Sequence, residues 1–122
     1  MKSKMPMFVL STLLLATVFV SSGRLYAHHG WSGYATDKPL HLDGVIKEAG
    51  YEHPHGYVRL EASGKVWNVV LAPPSRMESR GLPRGALKPG VKAQVEGYVA
   101  RDDPIEMRAE RITIDGKTTE LR

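Results

Sequence analysis

Punctuated alternation is what most constrains this chain. From Leu40 onward, short runs carry apolar residues at every second position, and glycine, proline or aspartate turns separate them. Period two belongs to half-buried strands, and the breakers keep each run too short for a long helix. Leu40, Leu42 and Ile46 alternate with His41, Asp43 and Lys47, which predicts a strand over Leu40–Ala49 with a bend or bulge at Gly44. Tyr57–Ala62 is a second strand with Val58 and Leu60 on one face. Ser63-Gly64 turns it into a third, the nearly all-apolar Val66–Leu71. Val91, Ala93, Val95 and Val99 mark a fourth strand, and Glu106–Ile114 a fifth. In the fifth, the apolar phase runs Met107, Ala109 and then Ile112, Ile114. That one-residue slip predicts a bulge near Glu110–Arg111. Asp115-Gly116 is a turn, and Lys117–Arg122 is a candidate short last strand.

One stretch interrupts the β pattern. Pro73-Pro74 stops the third strand and can open a helix, for which Ser75–Gly81 is the candidate and Gly81 the stop. Three strands, a short helix and two strands is the order of an OB-type barrel. The expected fold is therefore all-β with one short helix: an OB-like five-stranded barrel preceded by an N-terminal signal helix. The expected division is 1–27 signal peptide, 28–39 N-terminal arm and 40–122 β domain.

The signal expectation rests on a tripartite start. Lys2 and Lys4 precede the apolar run Phe8–Val20, and a short polar run ends in Leu25-Tyr26-Ala27. A spanning helix needs roughly 20 apolar residues, so this core is short for a permanent anchor. Leu25 and Arg24 are unusual beside a cleavage site, and an uncleaved anchor is the other reading. Cleavage after Ala27 implies a periplasmic or secreted protein with no permanent membrane span. It also changes the charge. The whole chain carries 17 basic and 13 acidic residues for a net +4; without Lys2, Lys4 and Arg24 the balance is 14 against 13. A near-neutral exported domain has no global electrostatic reason to bind nucleic acid. With no cysteine, disulfides are excluded and the core alone must hold the domain.

All five histidines fall within His28–His55. Cleavage after Ala27 would make His28 the N-terminus, where its α-amine and imidazole can chelate one ion. The amine's pKa of about 7.7–8.0 makes its deprotonation cheap near neutrality. His29 adds an imidazole. His53 and His55, two apart, would project to one side if extended, and Pro54 favours extension at His53. Together, His28, His29, His53 and His55 form a candidate metal site. An imidazole-rich set suits copper, with zinc or nickel as alternatives. The other readings are a plain polar terminus and a loop packing an imidazole on Trp31 or Tyr51. His41 lies on the polar face of its strand and reads as solvated.

Trp31 and Tyr34, with Tyr51, Tyr57, Trp67 and Tyr98, are candidates to line a ligand groove or to serve as packing; Trp67 reads as core. Arg76, Arg80 and Arg84 recur at four-residue steps. On a helix, Arg76 and Arg80 share a face, which suits an anionic ligand or a solvated face paired with nearby acids. These four residues, Trp31, Tyr34, Arg76 and Arg80, are the candidate ligand-binding set for an unidentified protein or envelope partner. Asp102-Asp103-Pro104 reads as a turn. No nucleophile elbow, phosphate loop, HExxH or cysteine nucleophile is present, so no catalytic residue is assigned. A metal site with an open position would still permit catalysis.

Several segments taken together carry a resemblance: His28-His29-Gly30-Trp31-Ser32-Gly33-Tyr34, His53-Pro54-His55, Leu71-Ala72-Pro73-Pro74-Ser75-Arg76-Met77 with Arg80-Gly81-Leu82, and Arg108-Ala109-Glu110-Arg111-Ile112. The chain resembles a family of small exported bacterial proteins catalogued as a domain of unknown function. The resemblance covers nearly all of residues 28–122. It implies export and a compact β fold and carries no activity with it, so function is argued from the residues. Two expectations follow: a metal-binding exported module, or a non-metal accessory domain using its aromatic or basic surface.

Overall fold

The computed structural model describes Ser3 and residues 30–122. The signal expectation, apart from Ser3, and His28 and His29 lie outside the described residues. The strands are β1 (Leu40–Gly50), β2 (Tyr57–Ala62), β3 (Lys65–Val70), β4 (Lys92–Val99), β5 (Glu106–Ile114) and β6 (Lys117–Glu120). Helix α1 (Pro74–Ser79) lies between β3 and β4, followed by a 3₁₀ turn at Arg84–Ala86.

The order β3-β2-β1-β4-β5 closes on itself because β3 also pairs in parallel with β5, through Asn68↔Glu106, Val69↔Met107 and Val70↔Arg108. The result is an OB-like five-stranded barrel with one short helix. β6 lengthens the sheet by pairing with the second half of β5. Alternation sends Ile46, Val58, Leu60, Val69, Met107 and Ile112 inward, and each is almost completely buried. Burying side chains of this size contributes about 1.5–3 kcal/mol each, which suits a domain without disulfides.

The bulge expected in the fifth strand is present. Glu96 pairs with Arg111 but Gly97 pairs with Ala109, leaving Glu110 as the extra residue. A side chain at Gly97 would put its Cβ 2.0 Å from the Arg108 carbonyl oxygen, so close strand approach selects glycine there. In β1 the expectation is corrected: the register shift falls at Lys47, between the pairs Ile46↔Leu60 and Glu48↔Arg59. Gly44 stays in register with Ala93, and its missing Cβ makes room for the Glu61 carbonyl.

Six residues are too few for a helix to stand alone. Met77 of α1 is fully buried. On the outer side, Arg76 donates to the Leu121 carbonyl at 3.0 Å, and Arg80 donates to the Glu120 carbonyl at 2.8 Å and to the main-chain oxygen of Arg122 at 3.1 Å. The helix thus bridges the end of β3 to the C-terminal segment.

Candidate functional site

The N-terminal arm is folded onto the end of β4. Tyr34 forms an isolated bridge with Ala100, Ala35 N–H donates to the Val99 carbonyl at 2.9 Å, and Arg101 N–H donates to that of Gly33 at 2.9 Å. This docking carries Trp31 to the outer face of β5. The guanidinium carbons of Arg108 and Arg122 lie 4.5 and 4.7 Å from its ring centroid. The Tyr98 ring meets it edge-on at 5.9 Å, and the Tyr34 ring lies tilted at 6.4 Å. Arg108 Nη1 also donates to the Gly30 carbonyl at 2.7 Å. Cations over an indole face are attracted by its quadrupole, so one arginine fixes the arm through both ring and backbone.

The outward row of β5 supplies the remaining contacts. Glu106, Arg108 and Glu110 alternate there with buried Met107 and Ala109. The Tyr34 hydroxyl donates to Glu106 at 3.2 Å, and the Tyr98 hydroxyl donates to Glu110. Burial, then the nearby Glu106 carboxylate, pushes the Tyr34 pKa up to about 12. The hydrogen bond to Glu110, then burial, raises that of Tyr98. Both phenols therefore remain donors. Arg108 is pushed the other way: burial and the like charges of Arg76 and Arg122 all oppose its charged form. Its Nε is buried without an acceptor.

The sequence-predicted residues fall into different settings. Trp31 and Tyr34 belong to this cluster. Arg76 and Arg80 are engaged with main-chain oxygens of the C-terminal segment rather than with side-chain carboxylates. The His53-Pro54-His55 segment is a bend in the β1–β2 connection, so the extended geometry expected to project both imidazoles to one side does not apply. His53 is exposed and His55 half-buried. Their loop is held firmly at its ends: Tyr51 donates to the Leu82 carbonyl at 2.7 Å, and Arg84 donates to the Tyr51 carbonyl at 3.0 Å. Leu71 N–H bonds the Gly56 carbonyl at 2.8 Å. Trp67 is core as expected, with Lys65 Nζ 3.8 Å from its ring centroid.

Register relates the arm to this loop. Arg108, which holds Gly30, is paired with Val70 of β3, and Val70 is paired with Tyr57 at the start of β2. His55 lies two residues before Tyr57. Among the described residues, no group of three or more His, Cys, Asp or Glu side chains is placed to hold a metal ion. His28 and His29 are outside that set. His41 is exposed, as expected, in a groove of about 330 Å³ on the outside of β1, β4 and β5. In it Arg111 lies 2.7 Å from Glu96, and it also reaches Glu120, outside the groove, at 2.9 Å. The sequence reading missed Arg108, Arg122, Glu106 and Glu110. Glu106, Arg108 and Glu110 show in the sequence as the polar phase of the fifth strand, and Arg122 lies beyond the last strand; neither trace says anything of an arm lying on β5. Among the described residues, no helix is long and apolar enough to cross a membrane.

A family model described as "Family of unknown function (DUF6152)" matches residues 16–107. No curated protein matches the sequence. Among solved structures, a chain of the S. pombe Stn1–Ten1 complex is similar, with a TM-score of 0.51 and 18% identity. The match covers 62% of this chain and 57% of that one. A chain of a TiaS complex with a transfer RNA and ATP matches with a TM-score of 0.49 and 20% identity, over 70% of this chain and 19% of that one. At 18% identity the first likeness concerns the fold alone, and it agrees with the barrel described above.

Proposed function

Since the chain belongs to the DUF6152 family of unknown function, we propose from its own residues that it is an exported, periplasmic module. In this reading it binds a transition metal, copper first, through His28, His29, His53 and His55. One observation carries the reading: Gly30 is tied to Arg108, two strand positions across the sheet from Tyr57, the residue that follows His55 and Gly56. Adjacent strands lie about 4.8 Å apart, so that separation is on the order of 10 Å. Consecutive Cα atoms are about 3.8 Å apart, so a two-residue segment spans at most about 8 Å. The arm's docking thus supports a meeting of the two histidine pairs that sequence separation alone would not suggest. Once cleavage exposes the His28 amine, the site offers nitrogen donors only, a set that favours copper over harder cations.

The test is titration of copper(II) and zinc(II) into mature protein beginning at His28, into His53→Ala/His55→Ala, and into protein with one residue added before His28. A joint site gives a large affinity loss in the double mutant and a further loss on extension. If the double mutant binds as well as the parent, the site is a local N-terminal chelate. If the parent binds no better than at about millimolar Kd, roughly −4 kcal/mol, the accessory-domain reading with the Trp31 surface replaces this one.

A further inference from the structure

The first half of β1 has a neighbour on one side only. Leu40–Gly44 pairs with β4, and β2 joins β1 from Val45 onward. Ile46 shows which main-chain groups lie on the open side. Its N–H donates to the Val91 carbonyl at 2.9 Å, and its carbonyl accepts from Gly90 N–H at 2.8 Å, so its main chain faces the β4 side. Successive residues of a strand turn these groups to opposite edges. Gly44, Leu42 and Leu40 therefore face β4, while Asp43 and His41 point their N–H and C=O to the open edge. Among the described residues, neither makes a main-chain bond there, and no side chain caps either one.

An open edge is a template for another strand. The edge of β6 is blunted, since Arg80 takes the Glu120 carbonyl and Lys117 reaches back to Gly81. At the β1 edge the side chains are themselves only lightly engaged. His41 is exposed and its imidazole stops 3.8 Å from Glu96, and Asp43 takes one long bond of 3.5 Å from the Gln94 amide.

Register points to the occupant. A second β1 laid antiparallel exchanges main-chain bonds only between residues that face the open edge. Pairing His41 with itself sets imidazole against imidazole and puts Asp43 opposite Pro39, which has no N–H. Pairing Asp43 with itself sets carboxylate against carboxylate and puts His41 opposite Val45, whose main chain is already paired with Glu61. A two-fold axis through Leu42 avoids both conflicts. It places His41 of each chain opposite Asp43 of the other, an imidazole donor facing a carboxylate, and satisfies the outward main-chain groups of both residues.

We propose that the first half of β1 is a self-recognition edge. A second copy of this chain adds to it antiparallel, His41 opposite Asp43, and one sheet runs through two barrels. So short a segment buries far less than the roughly 1,200 Å² of a standard interface, so the dimer is weak and forms at high protein concentration. His28, His29, His53 and His55 take no part, and the inference stands or falls apart from the metal reading.

The experiment follows purified mature protein from micromolar to millimolar concentration by sedimentation and amide NMR, with chelator present so that no shared metal joins two chains. The expected result is a monomer–dimer equilibrium in which the His41 and Asp43 amides shift and exchange more slowly, while the Leu42 amide, already bonded to β4, is unchanged. Asp43→Pro removes an N–H that points away from the barrel, so the fold tolerates it and the dimer is lost. His41→Asp sets like charges opposite each other twice per dimer and should weaken association about fivefold. Adding Asp43→His to that variant restores the complementary pair and should return the parent affinity to within about twofold. If Asp43→Pro does not fold, the charge exchange decides alone. A monomer at every concentration, or association that leaves the His41 and Asp43 amides unprotected, overturns the proposal. Protection of those amides only on addition of a different protein also overturns it.

Discussion

Inside the barrel, Ile46, Leu60 and Met107 are sealed from solvent by neighbours of their own kind. On the arm, Trp31 is held by two guanidinium groups and two phenol rings, and the adjacent Gly30 by a side-chain hydrogen bond. The first arrangement is non-directional and grows with area buried. The second depends on a few directional contacts, several of them charged. A region of the first kind should fail only together with the whole domain. A region of the second kind can loosen while the barrel stays folded.

Breaking the barrel has the largest expected effect. Leu60→Ala should cost about 2–5 kcal/mol of unfolding free energy in urea denaturation, through lost transfer energy and the cavity left behind. The arm should be released in the same transition. A loss below about 1 kcal/mol, well under that range, would remove the contrast between the regions.

Gly97→Ala acts where the two regions meet. The new Cβ would press on the Arg108 carbonyl at 2.0 Å, so the bulge must open. The expected cost is about 1–3 kcal/mol, with a change in the Trp31 environment before global unfolding. Wild-type stability would show that β4 and β5 are less tightly apposed at this point.

Arg108→Met separates the regions. Global stability should fall by only about 0.5–1 kcal/mol, the size of a partly exposed cation–π contact. Limited proteolysis should then cut within residues 30–38 while the barrel remains intact. Resistance equal to the parent would mean that the bridge at Tyr34↔Ala100 holds the arm without Arg108.

The smallest effect is a pH dependence. Tyr34 keeps its proton in the folded chain to about 12, against an ordinary value of 10.0. Through that window the unfolded chain binds fewer protons, so stability falls as pH rises. The contribution is fully present below about pH 10 and is lost by about pH 12. In Tyr34→Phe, melting temperature should decline less steeply over this range. An unchanged slope would assign the decline to other tyrosines.

How far the sequence was legible follows the same division. The phase slip at Glu110 was readable because inward positions must stay apolar, whatever the register. Pro73-Pro74 and Gly81 placed the helix, which begins at Pro74, one residue ahead of the expected start, and ends at Ser79 before Gly81 turns the chain. Gly44 misled because a glycine within a strand marks either a bulge or a close backbone approach, and here it is the second. The arm seam was not legible. Gly30 and Arg108 are 78 positions apart, and neither carries a periodic pattern that announces the other. Arg76 and Arg80 share a helical face as the spacing required, but the sequence could not say that backbone carbonyls would meet them.

The central proposal is that His28 and His29 share one metal site with His53 and His55. Its most direct test is paramagnetic broadening in the amide NMR spectrum of mature protein carrying one equivalent of copper(II). The account predicts that residues 30–34 and residues 52–57 broaden together at the first equivalent, while the outer groove around His41 and Thr113 stays sharp. Broadening confined to residues 30–34, with the loop around His53 and His55 untouched, would contradict it.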